Sequence, residues 1–581
     1  MGPFGYIKRE KSDKQISAMM REMAYLDHFV KDEVYRDDFI EASRVHIPAM
    51  APQTSPAKSG DVVLWIEGEI YNLDDCAKCL GQACANFEEL LISAYKAGKL
   101  DQALALVDGY YCAVLYDAKE KHIKLITDRY GMRVLYYYAK GNDFAWAGDV
   151  KGLLSLDFVD KTIDETTAPC FLDLGFLLED HTWFANVKLL EPSTILSLDI
   201  ETKRISKSNY WRWSDIKQQQ VSFYDAVECV SELMVQAVLK RFTPEESIGF
   251  PLSGGLDSRL LLAAVHKHHL DYKGHAYTFG REGAEDVLIA QCVAERAGWE
   301  HQLYELTGDN WFEPRKDKTW IVDGMLSMMH MHGTEFLPQM AGRIDTMMNG
   351  YAGDVVIGGG YTTQDNADKR ITAELAVPFY GRHVELANLN NPFYDIPHFE
   401  PHIYMNRVRR FTNVGSVNIL PYLNIRKPFF DNNLMEFMFS ITDQYKYQNR
   451  LYAAALLRAV PEFYKDIPWQ KTGRMIGNPK DMTKLAKNIR RVKGALSRWG
   501  FLGKKTEYTD YNNWLRVPEI AGQLSDLLDP KTAIYRDLVE RDLRAEFLKP
   551  QLNNKYKNNA DRILRAATME YYLKRALYGG F

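Results

Sequence analysis

The sequence lacks the features that mark a secreted or membrane-bound protein. Its first residues carry no apolar stretch like that of a secretory signal, and no uninterrupted run of about 18 apolar residues, the length that crosses a bilayer, occurs along the 581 residues. Cysteine is scarce, and its count of 7 is odd, which argues against a disulfide framework. We therefore expect a cytoplasmic protein with no membrane partner.

Neither the charge nor the cysteines point to a particular partner. Lys and Arg total 72 and Asp and Glu total 77, so the net charge of −5 gives no reason to expect nucleic acid. Cys76, Cys79 and Cys84 lie close together in DDCAKCLGQAC. A zinc site would need a fourth ligand, and neither a second CxxC nor a pair of histidines is nearby. We expect these cysteines to be small buried residues of a helix and a loop.

A change in pattern near residue 205 divides the chain into two predicted domains, 1–205 and 206–581. The first is rich in strands, such as DVVLWIEGEIYN (61–72), with helices between some of them. The sequence turns polar around 206–220, where WSDIKQQQ (213–220) is a plausible linker. Short apolar runs then alternate with helical patterns, an order typical of an α/β domain with a doubly wound parallel sheet. The last ~200 residues are mainly helical in pattern.

The motif that carries the chemistry, SGGLDS, lies at the expected junction between the first strand of that sheet and its first helix. Ser253, Gly254 and Gly255 have small or no side chains, so their N–H groups can approach an anion closely. The following helix would present its positive N-terminus to the same point. Asp257 adds a candidate magnesium ligand and Ser258 a hydroxyl donor. Such residues also form ordinary turns, but the full motif at this junction is far more specific.

SGGLDS is the pyrophosphate-loop signature of the N-type ATP pyrophosphatases, and the chain resembles the asparagine synthetase superfamily over most of its length. The other matching segments follow the family's order: IEGEIYN (66–72), VDGYYCAVLYD (107–117), DRYGMRVLYYY (128–138), HAYTFG (275–280), AEDVLIAQCVAERAGWEH (284–301), NGYAGDVVIGGGY (349–361), RKPFFDNNLMEF (426–437) and WQKTG (469–473). The resemblance implies an N-terminal Ntn-hydrolase-like α/β/β/α sandwich and a C-terminal ATP-pyrophosphatase domain with helical additions.

The resemblance also implies a reaction. ATP and Mg²⁺ activate a substrate carboxylate as an acyl-adenylate, pyrophosphate leaves, and a nitrogen attacks. Asp257 and Asp354 match the positions that hold magnesium, and carboxylates suit this hard cation. The residues implied to contact the nucleotide are, besides the SGGLDS loop, Thr278, Phe279 and Gly280 on the strand that cups adenine, and Gly350.

The glutamine site of the family is incomplete. Glutamine-dependent members carry a cysteine directly after the initiator Met, where this chain has Gly2, and without a thiol there is no acyl-enzyme route. ANFEEL (85–90) replaces the expected Ser-Asp pair, and Glu67 replaces an asparagine of the oxyanion hole. Only Gly68 and Glu69 of that signature remain. We expect a retained scaffold without glutaminase activity, and the lost pocket residues support this independently of the first four residues.

A second departure concerns the loop NGYAGD, where asparagine synthetases carry a glutamate and this chain has Tyr351. Tyrosine at this place is the pattern of the β-lactam and carbapenam synthetases, which pair it with a downstream glutamate to take a proton from the nucleophile. Glu385 lies 385 − 351 = 34 residues on, a similar separation. A hydrogen-bonded carboxylate could orient the phenol and accept its proton. The alternative for Glu385 is a solvated helix residue.

Two further groups are candidates for the site. Lys471 in WQKTG matches the lysine that contacts the intermediate in this superfamily, where an ammonium would stabilise developing negative charge. His330, His332 and Glu335 belong to a segment expected on the substrate side. They could form hydrogen bonds with a polar substrate, or they could be packed polar groups of the core. Histidines at i, i+2 do not share a helix face, so no metal site is predicted there.

The sequence thus predicts an ATP-dependent, amide-forming ligase that is not glutamine-dependent. Its partners would be a small-molecule or modified-polymer carboxylate and an amine, which could belong to the same molecule. The alternatives are an amide synthetase acting on a polysaccharide or peptide precursor, an ammonia-dependent asparagine synthetase, and a non-catalytic ATP-binding homologue. The sequence names neither substrate nor pathway. It also leaves the oligomeric state open, although members of the family are often dimers.

Overall fold

The computed structural model describes residues 1–8, 14–50, 56–476 and 506–579, and its N-terminal part is built on two antiparallel sheets. Their strands are β1 (Gly2–Ile7), β2 (Val30–Lys31), β3 (Tyr35–Arg36), β4 (Ile40–His46), β5 (Ala57–Ser59), β6 (Val62–Ile70), β7 (Gly109–Asp117), β8 (His122–Thr127), β9 (Tyr136–Lys140), β10 (Asp143–Ala147), β11 (Val187–Leu189), β12 (Thr194–Asp199) and β13 (Ile205–Asn209). One sheet has the order β11-β9-β10-β1-β4-β2, with β3 on β4, and the other the order β13-β12-β8-β7-β6-β5.

The two sheets face each other, and helices cover their outer faces. Along β6 the side chains alternate: Val63 and Trp65 enter the core between the sheets, whereas Val62, Leu64 and Ile66 pack under helices. The helices of this part are Gln15–Met23, Leu73–Leu80, Phe87–Lys96, Leu100–Leu106, Val150–Leu154 and Thr167–Leu174. The predicted α/β/β/α sandwich is confirmed. Cys76 is buried in its helix as expected, but Cys79 is exposed.

Strand β13 crosses the predicted domain boundary at residue 205. It pairs with β12 from Thr194↔Asn209 to Leu198↔Ile205, so the first domain reaches Asn209. This strand is polar on both faces and mostly exposed, which is why a hydrophobic pattern did not reveal it.

The second domain contains a parallel sheet with the order β16-β15-β14-β17-β18. Its strands are β14 (Ile248–Pro251), β15 (His275–Gly280), β16 (His301–Glu305), β17 (Thr346–Met348) and β18 (Asn424–Arg426). Every neighbouring pair is parallel, which confirms the predicted doubly wound sheet. Strand β14 lies at the centre, so the loop that follows it opens at the carboxyl edge, where such sheets bind ligands.

Helices surround this sheet and form most of the remaining chain. The α-helices are Phe223–Lys240, Asp257–His268, Glu285–Arg296, Phe312–Ile321, Leu337–Met340, Gly353–Val356, Ala373–Tyr380, Glu400–Ile403, Asn413–Ile419, Asn432–Ser440, Arg450–Ala459, Tyr511–Trp514, Pro518–Leu527, Tyr535–Leu538, Lys549–Asn553 and Ala560–Tyr578. Two segments, Tyr404–Thr412 and Arg544–Leu548, are π-helical. Among the helices of the described ranges, none is both long and apolar enough to cross a membrane.

A buried ionic cluster joins the two domains. Arg241 donates to Asp108 at 2.7 Å and to Asp431 at 2.9 Å, and Lys240 contacts the same two carboxylates. Asp108 belongs to the first domain and the other three residues to the second. All four charges compensate each other pairwise, a requirement for burying them. The cluster fixes the N-terminal sandwich against the domain that carries the predicted site.

Candidate active site

The loop after β14 forms one wall of the site, and its own polar groups fix its shape. The N–H of Ser253 donates to Ser258 Oγ at 3.2 Å, and the N–H of Gly255 donates to Ser253 Oγ at 3.2 Å. The N–H of Gly254 donates to Asp286 Oδ1 at 3.0 Å, across from the next helix. A helix of 12 residues starts directly behind the loop, so its N-terminus faces the same space. The helix N-terminus lies where the motif predicted it, whereas the three loop N–H groups donate to side-chain oxygens in this arrangement.

Two aspartates meet beside this loop. The N–H of Asp354 donates to Asp257 Oδ2 at 3.0 Å, and the Tyr452 hydroxyl donates to Asp257 Oδ1 at 2.7 Å. Burial and the charge of Asp354 raise the pKa of Asp257 to about 7, and burial also raises the pKa of Asp354. A Cβ on Gly353 would come within 2.8 Å of Asp257 Cγ, so the glycine leaves room at the pair. Two neighbouring carboxyl groups repel each other when both have lost their protons, so the pair favours a cation bound beside it.

A cavity of about 590 Å³ connects these groups. The segment with Lys471 closes one side of it, because the Gln470 N–H donates to the Gly254 carbonyl at 3.1 Å and a Cβ on Gly254 would meet Gln470 at 2.4 Å. The structure thus brings most of the predicted site residues to one cavity. Those that line it are Ser253, Gly255, Asp257, Gly350, Tyr351, Asp354 and Lys471.

A second cavity, of about 380 Å³, adjoins the first and shares Ser253 and Asp286 with it. Thr278 and Phe279 line it, as predicted for the strand that cups adenine, and Tyr508 lies opposite. A Cβ at Gly280, whose φ is +153°, would come within 2.8 Å of the Tyr508 ring. Glycine at 280 therefore lets Tyr508 approach the strand. This aromatic wall suits a flat heterocycle.

Tyr351 and Glu385 are not brought together. Tyr351 is buried on the cavity, and its hydroxyl donates to the Val408 carbonyl at 2.8 Å. Burial raises the pKa of Tyr351 well above its usual value. Glu385 lies exposed on the 3₁₀ segment Gly381–Leu386 and is not among the residues of the cavity. The predicted proton-accepting pair is therefore absent from this arrangement.

The histidine segment has divided roles. His330 and His332 line the cavity, whereas Glu335 is buried and forms an ion pair with Arg315 at 2.5 Å. Burial lowers the pKa of His330 to about 4 and that of His332 well below its usual value, so both rings are neutral near pH 7. Among the described residues, no group of three or more His, Cys, Asp and Glu could hold a metal ion. The histidines thus face the cavity as neutral hydrogen-bonding groups.

Two family models match the chain in the order of its two domains. The model described as a glutamine amidotransferase domain matches residues 31–211, and the model described as asparagine synthase matches residues 229–413. The chain belongs to the asparagine synthetase superfamily. The first match includes the sandwich and the second the parallel sheet with its SGGLDS loop.

The relatives that match are distant. A Methanocaldococcus jannaschii protein that bears the name of a glutamine-hydrolysing asparagine synthetase is 27% identical over 316 residues, covering 53% of this chain and 60% of that protein. Asparagine synthetase (glutamine-hydrolysing) 2 of Bacillus subtilis is 23% identical over 340 residues, covering 54% of this chain and 44% of that protein. The human asparagine synthetase (glutamine-hydrolysing) is 28% identical over 265 residues, covering 41% and 43%. The chain therefore spans about half the length of these relatives.

A solved structure of glutamine phosphoribosylpyrophosphate amidotransferase from B. subtilis also aligns, covering 52% of this chain and 65% of that one. Its TM-score is 0.26 and its identity 10%, too low to support any inference.

In the N-terminal domain of this superfamily member, the remnant of the glutamine signature is occupied by protein contacts. Arg426 of β18 donates to Glu69 Oε1 at 2.8 Å and also contacts Glu246 at 2.8 Å. Although burial opposes it, hydrogen bonds from Arg426 lower the pKa of Glu69 to about 2. Glu67 is buried, and among the described residues neither of its oxygens has a hydrogen-bond partner.

Four cysteines of this domain, Cys76, Cys84, Cys112 and Cys170, are disfavoured as thiolates. Burial raises the pKa of Cys76 to about 11 and that of Cys170 to about 12, and it also raises the pKa of Cys112 and Cys84. Nucleophilic cysteines need the opposite shift.

Several residues of the site carry no sequence signal that we recognised. Tyr452 lies 195 positions after Asp257, and Tyr508 follows a long segment beyond the WQKTG motif. Part of the cavity wall comes from Thr412, Ser416 and Asn418, at the end of the π-helical segment and in the helix after it. Only the density of arginines in RVRRF, unusual for a buried helix, could have indicated this segment.

Proposed function

We propose that this protein is an ATP-dependent ligase that adenylates a substrate carboxylate and forms an amide from it. The observation that carries the proposal is the convergence of the SGGLDS loop, the Asp257–Asp354 pair and Lys471 on one cavity, with an aromatic-walled cavity beside it. Each of these groups has the chemical character that one step of the reaction needs. The N-terminus of the helix behind the loop offers N–H groups to phosphate, and the second cavity suits adenine.

The first step joins the carboxylate to the α-phosphorus of ATP and breaks the bond from that phosphorus to pyrophosphate. The N-terminus of the helix that begins at Asp257 would hold the departing phosphates, and the N–H groups of Gly254 and Gly255 would join it only after releasing Asp286 and the Ser253 hydroxyl. The Asp257–Asp354 pair would hold Mg²⁺, which neutralises phosphate charge and is usually bound by one or two carboxylates and substrate phosphates. The contact between the Tyr452 hydroxyl and Asp257 orients one of these carboxylates.

The second step joins the amine nitrogen to the activated carbonyl carbon and releases AMP and a proton. Lys471 would stabilise the negative charge that develops on oxygen during both steps. Tyr351 stays protonated because its pKa is raised, so we assign it the task of accepting a hydrogen bond from the amine while it donates to Val408. This positions the nitrogen for attack. Glu385 has no part in the mechanism in this arrangement.

We propose that the nitrogen does not come from glutamine. The proposal is supported by the ion pair of Arg426 with Glu69 and by the raised pKa values of the buried cysteines in the first domain. The relatives are named for glutamine hydrolysis, so this chain would differ from them. An amine on the same or another molecule, as in the β-lactam synthetase-like branch indicated by Tyr351, would take the place of ammonia.

The test is pyrophosphate release from Mg–ATP over a panel of carboxylates, with glutamine, ammonia and no added amine in parallel. Release that depends on one carboxylate and is indifferent to glutamine supports the proposal. Glutamate formed in step with pyrophosphate would contradict the glutamine-independent part. Failure to bind Mg–ATP at all would contradict the ligase and favour a non-catalytic homologue.

A further inference from the structure

Two contacts place His332 at the border between the main cavity and the second, aromatic-walled one. His332 itself lines the main cavity. Gly333, directly after it, has a φ of +79°, and a Cβ there would come within 2.3 Å of the ring of Phe279, which lines the second cavity. The His332 ring also lies 5.7 Å, between centroids, from the ring of Tyr508 on the other wall of the second cavity. His332 therefore lies where the two cavities meet.

The contacts of the His332 ring decide which of its nitrogens carries the proton. Its Nδ1 lies 3.1 Å from the Tyr511 hydroxyl, and that hydroxyl accepts a hydrogen bond from Arg315 Nη1 at 2.6 Å. A guanidinium only donates, and the Tyr511 hydroxyl has no other hydrogen bond among the described residues, so it donates its own proton to Nδ1. The neutral imidazole then carries its single proton on Nε2.

Buried groups hold this arrangement from behind. Arg315 is fully buried, forms an ion pair with Glu335 and donates to the Met328 carbonyl at 2.7 Å. Tyr511, which links it to His332, is buried as well. Burial and the charge of Arg315 lower the pKa of His332 well below its usual value, so the ring stays neutral near pH 7. His332 thus presents a fixed, uncharged donor.

The Nε2 of His332 has no acceptor in the part of the chain that the structure describes. It is not one of the unpartnered side-chain atoms sealed inside the described residues, so it remains open to the cavity that the ring lines. His330, the other histidine of this wall, lies 6.3 Å away between ring centroids and packs instead on Phe411 at 4.7 Å. The donor at the border of the two cavities is therefore available to a ligand.

ATP would bring a matching acceptor to this point. Its adenine would occupy the second cavity, and its phosphates would lie at the N-terminus of the helix that begins at Asp257. The ribose between them must cross the junction of the two cavities, which share Ser253 and Asp286. The 2′ and 3′ hydroxyls of the ribose are neutral acceptors, the kind of group that a neutral N–H donor suits.

We propose that His332 donates a hydrogen bond from Nε2 to a ribose hydroxyl of ATP and so selects ribonucleotides over deoxyribonucleotides. The inference rests on the proposed function and adds a specificity-determining residue to it. A site built to pair with a hydroxyl discriminates against the analogue that lacks it, because the protein donor is then left without its acceptor.

The test measures binding of α,β-methylene-ATP and of its 2′-deoxy and 3′-deoxy forms to the full-length protein with Mg²⁺, by titration calorimetry. His332→Asn keeps an amide oxygen near the place of Nδ1, where it can accept from Tyr511, but has no donor near the place of Nε2. His332→Gln carries an amide N–H that reaches the place of Nε2. His330→Asn is the control for losing a histidine from the same wall. The thermal midpoint of each variant reports whether it is folded.

We expect the wild-type protein to bind the ribose form about threefold to 10-fold more tightly than one of the two deoxy forms, the range of a neutral hydrogen bond. Which deoxy form is disfavoured identifies the hydroxyl. His332→Asn should reduce this ratio to below about twofold by weakening the ribose form, His332→Gln should retain part of it, and His330→Asn should retain all of it.

The wild-type ratio is measured first, so the inference can fail without any variant. A ratio near one in the wild type would overturn it. An unchanged ratio in His332→Asn, or an equal loss in His330→Asn, would also overturn it. Failure of the wild type to bind any of the three analogues would instead contradict the proposed function.

Discussion

Replacing Tyr351 by Phe should separate the two chemical steps of the proposed reaction. The Tyr351 ring packs against Phe430 with centroids 5.3 Å apart, and a phenylalanine keeps this contact. The substitution removes only the hydroxyl, which donates to the Val408 carbonyl and faces the amine in our proposal. Carboxylate activation involves Asp257, Asp354 and Lys471 instead, so it should proceed in the variant.

The size of the effect follows from what the hydroxyl does. Misplacing a reacting group by about 1 Å can slow a step by about 10²-fold, so amide formation should slow by roughly 100-fold. Adenylation should change less than about threefold, because no lost interaction touches the phosphates. Leaving the Val408 carbonyl without its donor costs about 1–3 kcal/mol of stability, which lowers the unfolding temperature without unfolding the protein.

Tyr452→Phe is the matched control, because it also removes one buried hydroxyl from the same cavity. Its lost hydrogen bond is the one to Asp257, at 2.7 Å, so it should slow adenylation by about 10-fold to 100-fold and leave the following step alone. Rapid-quench measurements of pyrophosphate and amide in a single turnover resolve the two rates, using the carboxylate that supports pyrophosphate release. Equal loss of both steps in Tyr351→Phe would refute the assigned role.

Three further substitutions test the site and the interface. Asp257→Asn should reduce pyrophosphate release more than about 100-fold while the thermal midpoint stays within a few degrees, and release at the normal rate would exclude Asp257 as a metal ligand. Arg241→Met should cost about 3–5 kcal/mol in urea unfolding, because it leaves Asp108 and Asp431 buried with too little positive charge; a loss below 1 kcal/mol would contradict this. Burial, with Arg133 nearby, lowers the pKa of Lys427 to about 7. Between pH 7 and 9 the unfolded lysine binds a proton that the folded one lacks, so stability should rise by about 1.4 kcal/mol per pH unit in the wild type and not in Lys427→Met.

The sequence predicted those parts of the site that come from one short segment of the chain. SGGLDS contains the small residues, the helix start and the first acidic ligand within six positions, so local sequence alone defines an anion-binding loop. The order of strands and helices around it then predicted the parallel sheet. Thr278 and Phe279 were predicted from the family resemblance, and they lie on β15, the strand that pairs in register with β14.

What could not be predicted are contacts between distant segments. The Tyr452 hydroxyl meets Asp257 across 195 residues, and no periodicity encodes such a distance. The spacing of 34 residues between Tyr351 and Glu385 was equally uninformative. Asp173 of the first domain contacts Arg382 and His383 at 2.8 and 2.9 Å and so anchors the segment that carries Glu385 to the sandwich, where the glutamate faces solvent.

The same interface suggests why a sandwich without a reactive thiol would be retained. Arg426 ends the strand that closes the parallel sheet, and Lys427 follows it with its ammonium 5.1 Å from the Tyr351 ring centroid. One of the two carboxylates that pair with Arg426 is Glu69, a residue of the glutamine signature. Arg409 and Arg410 likewise fasten the π-helix behind Tyr351 to carbonyls of the first domain. The sandwich therefore supports the wall that would position the amine, and deleting it should impair amide formation even if glutamine is never bound.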